Sequence, residues 1–216
     1  MEKTISSLNV QKNNPNRVNV FLDGEYAFSL ARIVAAWLEV GISLSTEKIG
    51  TLQAADMVET AYQKSLKYIS YRPRTTNEVR KRLENSSIPP DTINIVIEQL
   101  SEKNLLDDHQ FAEFWVENRL AFRPKSRRAL RQELRQKGVE DEIIENIIQE
   151  IKSEDDIAIN AGLKYLHRME PMDWYLFKQR MGGYLARKGF TFETIGNVMP
   201  VLWESFSAEL NHIAIR

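Results

Sequence analysis

The most regular feature of the hydrophobic pattern is a set of five apolar positions that recurs three times at a spacing of 51 residues. In each set, the first two positions lie four residues apart, as on one face of an α-helix. Units this short bury a core only by stacking on their neighbours, so the spacing predicts tandem three-helix repeats that form an elongated, curved body. The three sets are Val79, Leu83, Ile88, Ile93 and Leu100; Leu130, Leu134, Val139, Ile144 and Ile151; and Met181, Leu185, Phe190, Ile195 and Leu202.

Local signals divide the first repeat into three helices. A helix over residues 55–70 is predicted to end at the Arg-Pro pair at 72–73, because proline lacks an amide proton and restricts the residue before it. Thr75 and Glu78 have the spacing of a capping box at the start of the second helix. Pro90 suits the first turn of the third helix, where its missing amide proton needs no partner.

The second repeat follows the same order of signals. Asp107 or Asp108 is expected to cap its first helix, and Ser126 its second. Gly138 lets the chain leave that second helix with a positive φ. The third repeat is looser, because the glycine pair at residues 182–183 weakens its middle helix.

The N-terminal stretch has a different pattern. Apolar residues alternate over residues 18–22 and again over 26–30, with Asp23 and Gly24 between them. An Asp-Gly pair accepts the positive φ angles of a type I′ turn, so the pattern predicts a short β-hairpin. We expect a helix over about residues 31–40 to follow. Two strands alone are marginal, so the hairpin must pack on a helix or on a partner.

These signals together predict a mainly α-helical chain in four parts. The apolar stripes and the aromatic residues Trp115, Tyr165 and Trp174 are expected to form its core, as such residues most often do. The predicted parts are a β-hairpin plus helix at residues 1–54 and three-helix repeats at residues 55–106, 107–155 and 156–216.

Composition narrows the class of protein. The 216 residues are 43% hydrophobic and 27% charged, which is ordinary for a globular chain. The absence of cysteine excludes disulfides, thiolate zinc sites and a cysteine nucleophile. No apolar stretch approaches the roughly 20 residues that span a bilayer, and the polar first residues do not resemble a secretory signal. We therefore expect a cytoplasmic protein without membrane contact.

Nothing in the sequence indicates catalysis. His109, His167 and His212 are too widely separated to form a metal site. Asp107 and Asp108 have the chemistry of a metal or acid–base pair, but helix capping explains them fully. The sequence also has no glycine-rich phosphate loop, nucleophile elbow or kinase signature, so we predict no enzyme activity, no cofactor and no metal.

The net charge of −1 conceals a basic middle. Residues 64–137 carry 16 basic and 10 acidic residues, residues 1–63 carry 5 and 7, and residues 138–216 carry 8 and 13. A basic middle beside an acidic end favours an acidic or polyanionic partner for one part of the chain. The alternative interpretation is a set of ordinary solvated helix faces.

The densest basic segment runs from Arg123 to Lys137. The segment contains seven basic residues and one acid, Glu133. Few acids lie within one helical turn of these basic residues, so we predict that the chain does not neutralise their charges. Arg80 and Arg131 are equivalent in the repeat, so the middle helices of two repeats are predicted to line one positive surface. Guanidinium groups bind carboxylate and phosphate well because their planar fork donates two parallel hydrogen bonds. The predicted partner-binding residues are Arg72, Arg74, Arg80, Arg123, Lys125, Arg127, Arg128, Arg131, Arg135 and Lys137.

Four segments of the chain resemble the RecX family of bacterial regulators. They are residues 17–26 (RVNVFLDGEY), 68–74 (YISYRPR), 106–112 (LDDHQFA) and 123–139 (RPKSRRALRQELRQKGV). Each segment alone is a weak signal, but the similarity extends over almost the whole chain. The combination is specific.

The resemblance implies a function that composition and spacing do not show. It implies a non-enzymatic, monomeric regulator that binds RecA recombinase filaments along their helical groove. Such a regulator inhibits filament growth, ATP hydrolysis and strand exchange in recombination and DNA repair. A stand-alone helical DNA-binding module is the alternative, because short arginine-rich helices can read DNA. Weak DNA contact is compatible with either function.

Overall fold

A computed structural model describes the backbone of residues 2–151 and 153–214, with side chains up to residue 208. The chain divides into two compact units, one ending at Leu106 and the other beginning at Asp107. Each unit has its own buried apolar core. The prediction of a mainly α-helical chain with tandem three-helix repeats and an N-terminal hairpin is confirmed.

The N-terminal unit begins with an antiparallel sheet. The predicted hairpin is present as β2 and β3, and its turn residues Asp23 and Gly24 have positive φ angles of 52° and 90°. The hairpin is part of a larger sheet with the order β3-β2-β1-β4. The strands are β1 (Glu2–Gln11), β2 (Asn14–Leu22), β3 (Glu25–Ala31) and β4 (Ser43–Ser45).

Sequence reasoning missed β1 because the strand has almost no apolar alternation. Ile5 is its one buried apolar side chain, and most of its other residues are polar and exposed. Pairing with β2 places β1 in the sheet and supplies the hydrogen bonds that a lone polar segment lacks.

The helix predicted over residues 31–40 is wrong. Residues 32–37 form turns, and Ala35 and Leu38 are buried in the core of the sheet. Gly41, at a φ of 93°, donates its amide to the carbonyl of Ile5, so the chain must reverse direction here. Sheet packing therefore overrides the local helical preference of this segment.

The first repeat follows the sheet as α1 (Thr46–Ile69), α2 (Thr76–Glu84) and α3 (Pro90–Glu102). Helix α1 begins at Thr46 rather than at residue 55, because the Ser45 hydroxyl accepts the amide of Lys48 and caps the helix there. The capping box of Thr75 and Glu78 is confirmed.

The C-terminal unit contains the second and third repeats. Asp107 and Ser126 cap α4 and α5 as predicted, and Gly138 ends α5 with a φ of 81°. The glycine pair at residues 182–183 does not interrupt α8. The helices are α4 (Asp108–Phe122), α5 (Arg127–Lys137), α6 (Asp141–Gln149), α7 (Glu154–Leu166), α8 (Trp174–Arg187) and α9 (Phe192–Ala214).

The repeating apolar positions form the cores of these helices, as the spacing predicts. Thirteen of the fifteen are buried, and Ile88 and Ile151 are half-buried against the same clusters. Trp115 and Tyr165 are half-buried, but the prediction for Trp174 is wrong, because its side chain is 41% exposed. Trp174 is the first residue of α8, and its ring packs on Phe177 and Trp203 from the outside of the core.

Candidate partner-binding surface

The ten predicted partner-binding residues lie at equivalent places in the first two repeats. In both repeats they occupy the turn before the middle helix and that helix itself. In the N-terminal unit these are Arg72 and Arg74 in the turn and Arg80 on α2. In the C-terminal unit they are Arg123 and Lys125 in the turn and Arg127, Arg128, Arg131, Arg135 and Lys137 on α5.

Two of the four arginines of α5, Arg131 and Arg135, are neutralised by acids on α6. Arg131 makes a two-pronged contact with Glu145, with Nε–Oε1 and Nη2–Oε2 distances of 2.8 and 2.9 Å. Arg135 Nε lies 2.6 Å from Asp141 Oδ1. The prediction that the chain leaves these charges unneutralised is therefore wrong. The acids come from the next helix, beyond the range of contacts within one helix.

These ion pairs shift the pKa of both kinds of group. The hydrogen bond from Arg131 lowers the pKa of Glu145. The hydrogen bond to Asp141 raises the pKa of Arg135. Both effects favour the charged forms of the pairs.

Arg127 connects the second repeat to the start of the third. Its Nη2 donates to the carbonyl of Ile151 at 2.6 Å, and its Nε lies 3.7 Å from Glu154 Oε2. Glu154 also accepts the backbone amide of Arg127 at 3.2 Å. Arg127 therefore has a structural role at the junction between α5 and α7.

Glu133 anchors the basic turn that precedes α5. It accepts hydrogen bonds from Trp115 Nε1 at 2.9 Å, from Arg119 Nε at 2.8 Å and from Lys125 Nζ. Burial alone would raise the pKa of Glu133, but these hydrogen bonds outweigh burial and lower it. The carboxylate thus stays charged and fixes two cations in place.

The first repeat has a smaller version of this arrangement. Glu78 of the capping box also pairs with Arg72, at 2.8 Å, and with Arg74, at 3.9 Å. Arg74 lies over the ring of Tyr68, 4.0 Å from its centroid. Arg80 donates to Asn94 Oδ1 at 2.9 Å.

Arg123 and Arg128 differ from the other predicted residues of the second repeat. Both are exposed, and in the described part of the chain neither has an ion pair or a hydrogen bond through its side chain. Phe122 precedes Arg123 and is 74% exposed, and its repeat equivalent Tyr71 is 72% exposed. An exposed aromatic beside an unpaired arginine is typical of a protein interface.

Sequence reasoning missed three further cations beside this turn, namely Arg119, Arg168 and Lys188. Burial lowers the pKa of Lys188, and the charges of Lys125, Arg123, Arg119 and Arg168 lower it further. The backbone amide of Ser126 donates to the carbonyl of Lys188 at 3.1 Å, which holds the turn against the end of α8. We call Arg119, Arg123, Lys125, Arg168 and Lys188 the cationic cluster.

The repeat itself contained a signal for part of this cluster. Lys188 and Gly189 are equivalent to Lys137 and Gly138 at the spacing of 51 residues. Arg168 has no such signal, because only the fold of the third repeat brings it near the others. Chemically, the cluster is suited to binding carboxylate or phosphate.

Two negative findings limit the chemistry of the described residues. Among them, no three His, Asp or Glu side chains are grouped so that they could hold a metal ion. Likewise, none of the helices in residues 2–151 and 153–214 is both long and apolar enough to cross a membrane. His212, one of the three histidines, has a side chain outside the described residues.

Comparison with family models identifies four RecX domains along the chain. The model of the regulatory protein RecX N-terminal domain matches residues 3–45. The models of the first, second and third three-helix domains of RecX match residues 61–100, 107–147 and 153–199. The matched domains follow one another in the order of their names.

Whole-length relatives and solved structures agree with this result. The chain is 31% identical to the regulatory protein RecX of Bacillus pumilus, over 98% of this chain and 82% of the relative. It is 33% identical to that of Bacillus subtilis, over 90% and 75% of the two chains. A crystal structure of a regulatory protein RecX superposes with a TM-score of 0.71 at 28% identity, covering 91% of this chain and 98% of the other. A RecX structure from Lactobacillus salivarius gives a TM-score of 0.60 at 25% identity, over 68% and 97%. The chain therefore belongs to the RecX family of regulatory proteins.

Proposed function

We propose that this protein binds RecA recombinase filaments along their helical groove and inhibits filament growth, ATP hydrolysis and strand exchange. On this proposal it acts as a monomer in the cytoplasm, where it regulates recombination and DNA repair without catalysing a reaction. Family membership supports the regulatory role, because the matching relatives are named regulatory proteins.

The exposed end of α4 is the observation that carries the proposal. There Phe122 is 74% exposed beside the unpaired Arg123, and Arg128 is exposed in the first turn of the next helix, α5. Desolvated arginine and aromatic side chains contribute most to many protein interfaces. We therefore assign direct partner contact to Arg123 and Arg128.

The remaining predicted residues divide into contacts and supports. Glu133 holds Lys125 in the same turn, so Lys125 approaches the partner from a fixed position. Arg127, Arg131 and Arg135 are engaged with acids of the C-terminal unit, so they act first as supports of α5. We also assign partner contact to Lys137 on α5 and, within the N-terminal unit, to Arg72, Arg74 and Arg80.

RecA-dependent ATP hydrolysis on single-stranded DNA tests this function. The rate is measured with increasing amounts of the full chain, and the expected result is inhibition at stoichiometric or lower ratios to RecA. Serum albumin at the same concentrations controls for nonspecific effects. An unchanged hydrolysis rate at a molar excess of the chain would contradict the proposal.

The cationic cluster favours a second candidate, direct binding to DNA phosphates. Its five cations have one close counter-ion among the described residues, Glu133. Phosphate contact releases counter-ions from the DNA. The logarithm of the affinity for single-stranded DNA would therefore fall by roughly 0.7 per contacted phosphate for each tenfold rise in salt concentration. Fluorescence anisotropy with labelled oligo-dT and no RecA separates the candidates. Tight, salt-dependent binding without an effect on RecA would favour the DNA-binding module.

A further inference from the structure

A second surface of the C-terminal unit has the opposite charge. Helices α4, α6 and α7 enclose a groove with a volume of about 730 Å³. Its floor is apolar and includes Val116 and Leu120 of α4, Ile147 of α6 and Ile157 of α7. This volume lies within the range of about 300–1,000 Å³ that ligand pockets usually have.

The rim of this groove carries four carboxylates, from Glu113, Glu117, Glu150 and Asp156. No lysine or arginine is among the described residues that line it. Glu113 lies 3.7 Å from His109 Nδ1, and the other three carboxylates have no ion pair within the described part of the chain. This contrasts with α5, where acids of α6 and α7 neutralise Arg127, Arg131 and Arg135.

Hydrogen bonds at the ends of the groove join the helices that line it. Asn160 Nδ2 donates to the carbonyl of Leu120 at 3.3 Å, and Lys164 Nζ donates to the carbonyl of Ala121, so both tie α7 to the end of α4. Arg127 fixes the carbonyl of Ile151 after α6. A groove anchored at these ends is preformed, so a ligand does not have to order it.

We propose that this acid-rimmed groove docks a cationic amphipathic helical segment of another protein. Apolar side chains of that segment would cover the floor, and its lysine or arginine side chains would face the four carboxylates of the rim. Helices that enter grooves bind in this way, through apolar anchors at intervals of three and four residues. Charge complementarity then selects basic segments over acidic ones.

The chemistry of the rim excludes the other kinds of occupant. Nucleic acid would bring phosphates next to unneutralised carboxylates, which is repulsive. Helix α5 of a second copy would also be basic, but three of its arginines, Arg127, Arg131 and Arg135, are already engaged with acids of α6 and α7. The proposal goes beyond RecA inhibition, because it uses none of the residues assigned to that contact.

A synthetic peptide can test the proposal with the full chain. The probe is a fluorescein-labelled helix of about four turns, with leucine on one face and lysine elsewhere. One comparison peptide carries glutamate in place of lysine. The other has the same leucines and lysines in scrambled order. Fluorescence anisotropy is expected to show saturable binding of the amphipathic lysine peptide and of neither comparison peptide. Equal binding of all three peptides, or no binding, would overturn the proposal.

Charge reversal at the rim locates the binding. Glu117→Lys with Glu150→Lys is expected to weaken the binding of the lysine peptide by about tenfold or more, because two attractive contacts become repulsive. Both side chains are exposed, so folding is retained, and the milder pair Glu117→Gln with Glu150→Gln is expected to give a smaller loss.

A matched variant controls for net charge. Glu98→Lys with Glu102→Lys reverses two exposed acids on α3 and is expected to leave binding unchanged. An equal loss in this control would show nonspecific attraction and overturn the proposal.

Sedimentation velocity of the full chain adds a second readout. Self-association that Glu117→Lys with Glu150→Lys abolishes would identify a second copy as the occupant and also overturn it.

Discussion

At the scale of single residues, a few side chains hold the basic turn before α5 in place. Glu133 joins Trp115, Arg119 and Lys125 through one carboxylate, and its side chain is only 17% exposed. Ser126 is fully buried, caps α5 and touches the third repeat. The positions of the cations therefore depend on two residues that carry no positive charge.

Replacing Glu133 by glutamine is expected to destabilise the fold by about 1–3 kcal/mol at neutral pH, because two half-buried cationic partners, Arg119 and Lys125, lose their counter-ion. The pKa of Glu133 is lowered in the folded state, so its contribution is present above the ordinary carboxylate pKa. It is lost as the pH falls below about 4. Urea unfolding of both proteins at pH 7 and pH 3 checks this. A stability difference that stays the same or grows at pH 3 would refute it.

Gly189 is the second residue whose replacement has a clear outcome. It has a φ of +93°, and an added Cβ would lie 2.5 Å from Ser126 Oγ and 3.1 Å from Ala129 Cβ. Gly189→Ala is therefore expected to destabilise the protein by about 1–3 kcal/mol. Gly196→Ala is the control, since that glycine is helical with open space around it and alanine there is expected to stabilise. The midpoints of thermal unfolding of the two variants measure these effects. Equal midpoints would be inconsistent with the packing of Gly189 against Ser126 and Ala129.

At the scale of helices and strands, local chemistry predicts boundaries well. The caps at Thr75, Asp107, Ser126 and Gly138 were predictable because each depends on residues within a few positions in the chain. Strand β1 was not predictable, because its polar residues are placed by pairing with β2.

The ion pairs of α5 show the same limit at the candidate site. Arg131 meets Glu145, and Arg127 meets Glu154, across helices that pack together only in the folded chain. The sequence shows an unneutralised basic segment, whereas the fold neutralises much of it. Which arginines stay exposed therefore depends on packing between helices and could not be predicted from one helix.

A charge exchange tests the pairing of α5 with α6. Arg131→Glu alone is expected to lower the midpoint of thermal unfolding, because it brings a second carboxylate next to that of Glu145. Adding Glu145→Arg is expected to restore the midpoint, and RecA inhibition with it, because Arg131 acts as a support. Thermal unfolding and the ATPase assay measure the two effects. Restored stability without restored inhibition would make Arg131 a direct contact instead.

At the scale of the whole chain, the acidic residues after Gly138 supply counter-ions for the basic segment before it. Asp141, Glu145 and Glu154 all lie in the acidic third of the sequence and pair with arginines of α5. The overall charge is therefore close to zero, while the exposed end of α4 stays positive. Among the described residues of the C-terminal unit, this distribution leaves Arg123 and Arg128 exposed without an ion pair.

On our proposal, the exposed arginines at the end of α4 and the start of α5 bind the RecA filament. The most direct measurement is RecA-dependent ATP hydrolysis on single-stranded DNA with the variant Arg123→Glu/Arg128→Glu. Lys178→Glu/Arg180→Glu, which reverses two exposed cations on α8, is the matched control. Our account predicts that the first variant, although folded, needs about tenfold more protein for the same inhibition, since two attractive charges become repulsive. The control is expected to inhibit like the unmodified chain. Full inhibition by Arg123→Glu/Arg128→Glu would contradict the account.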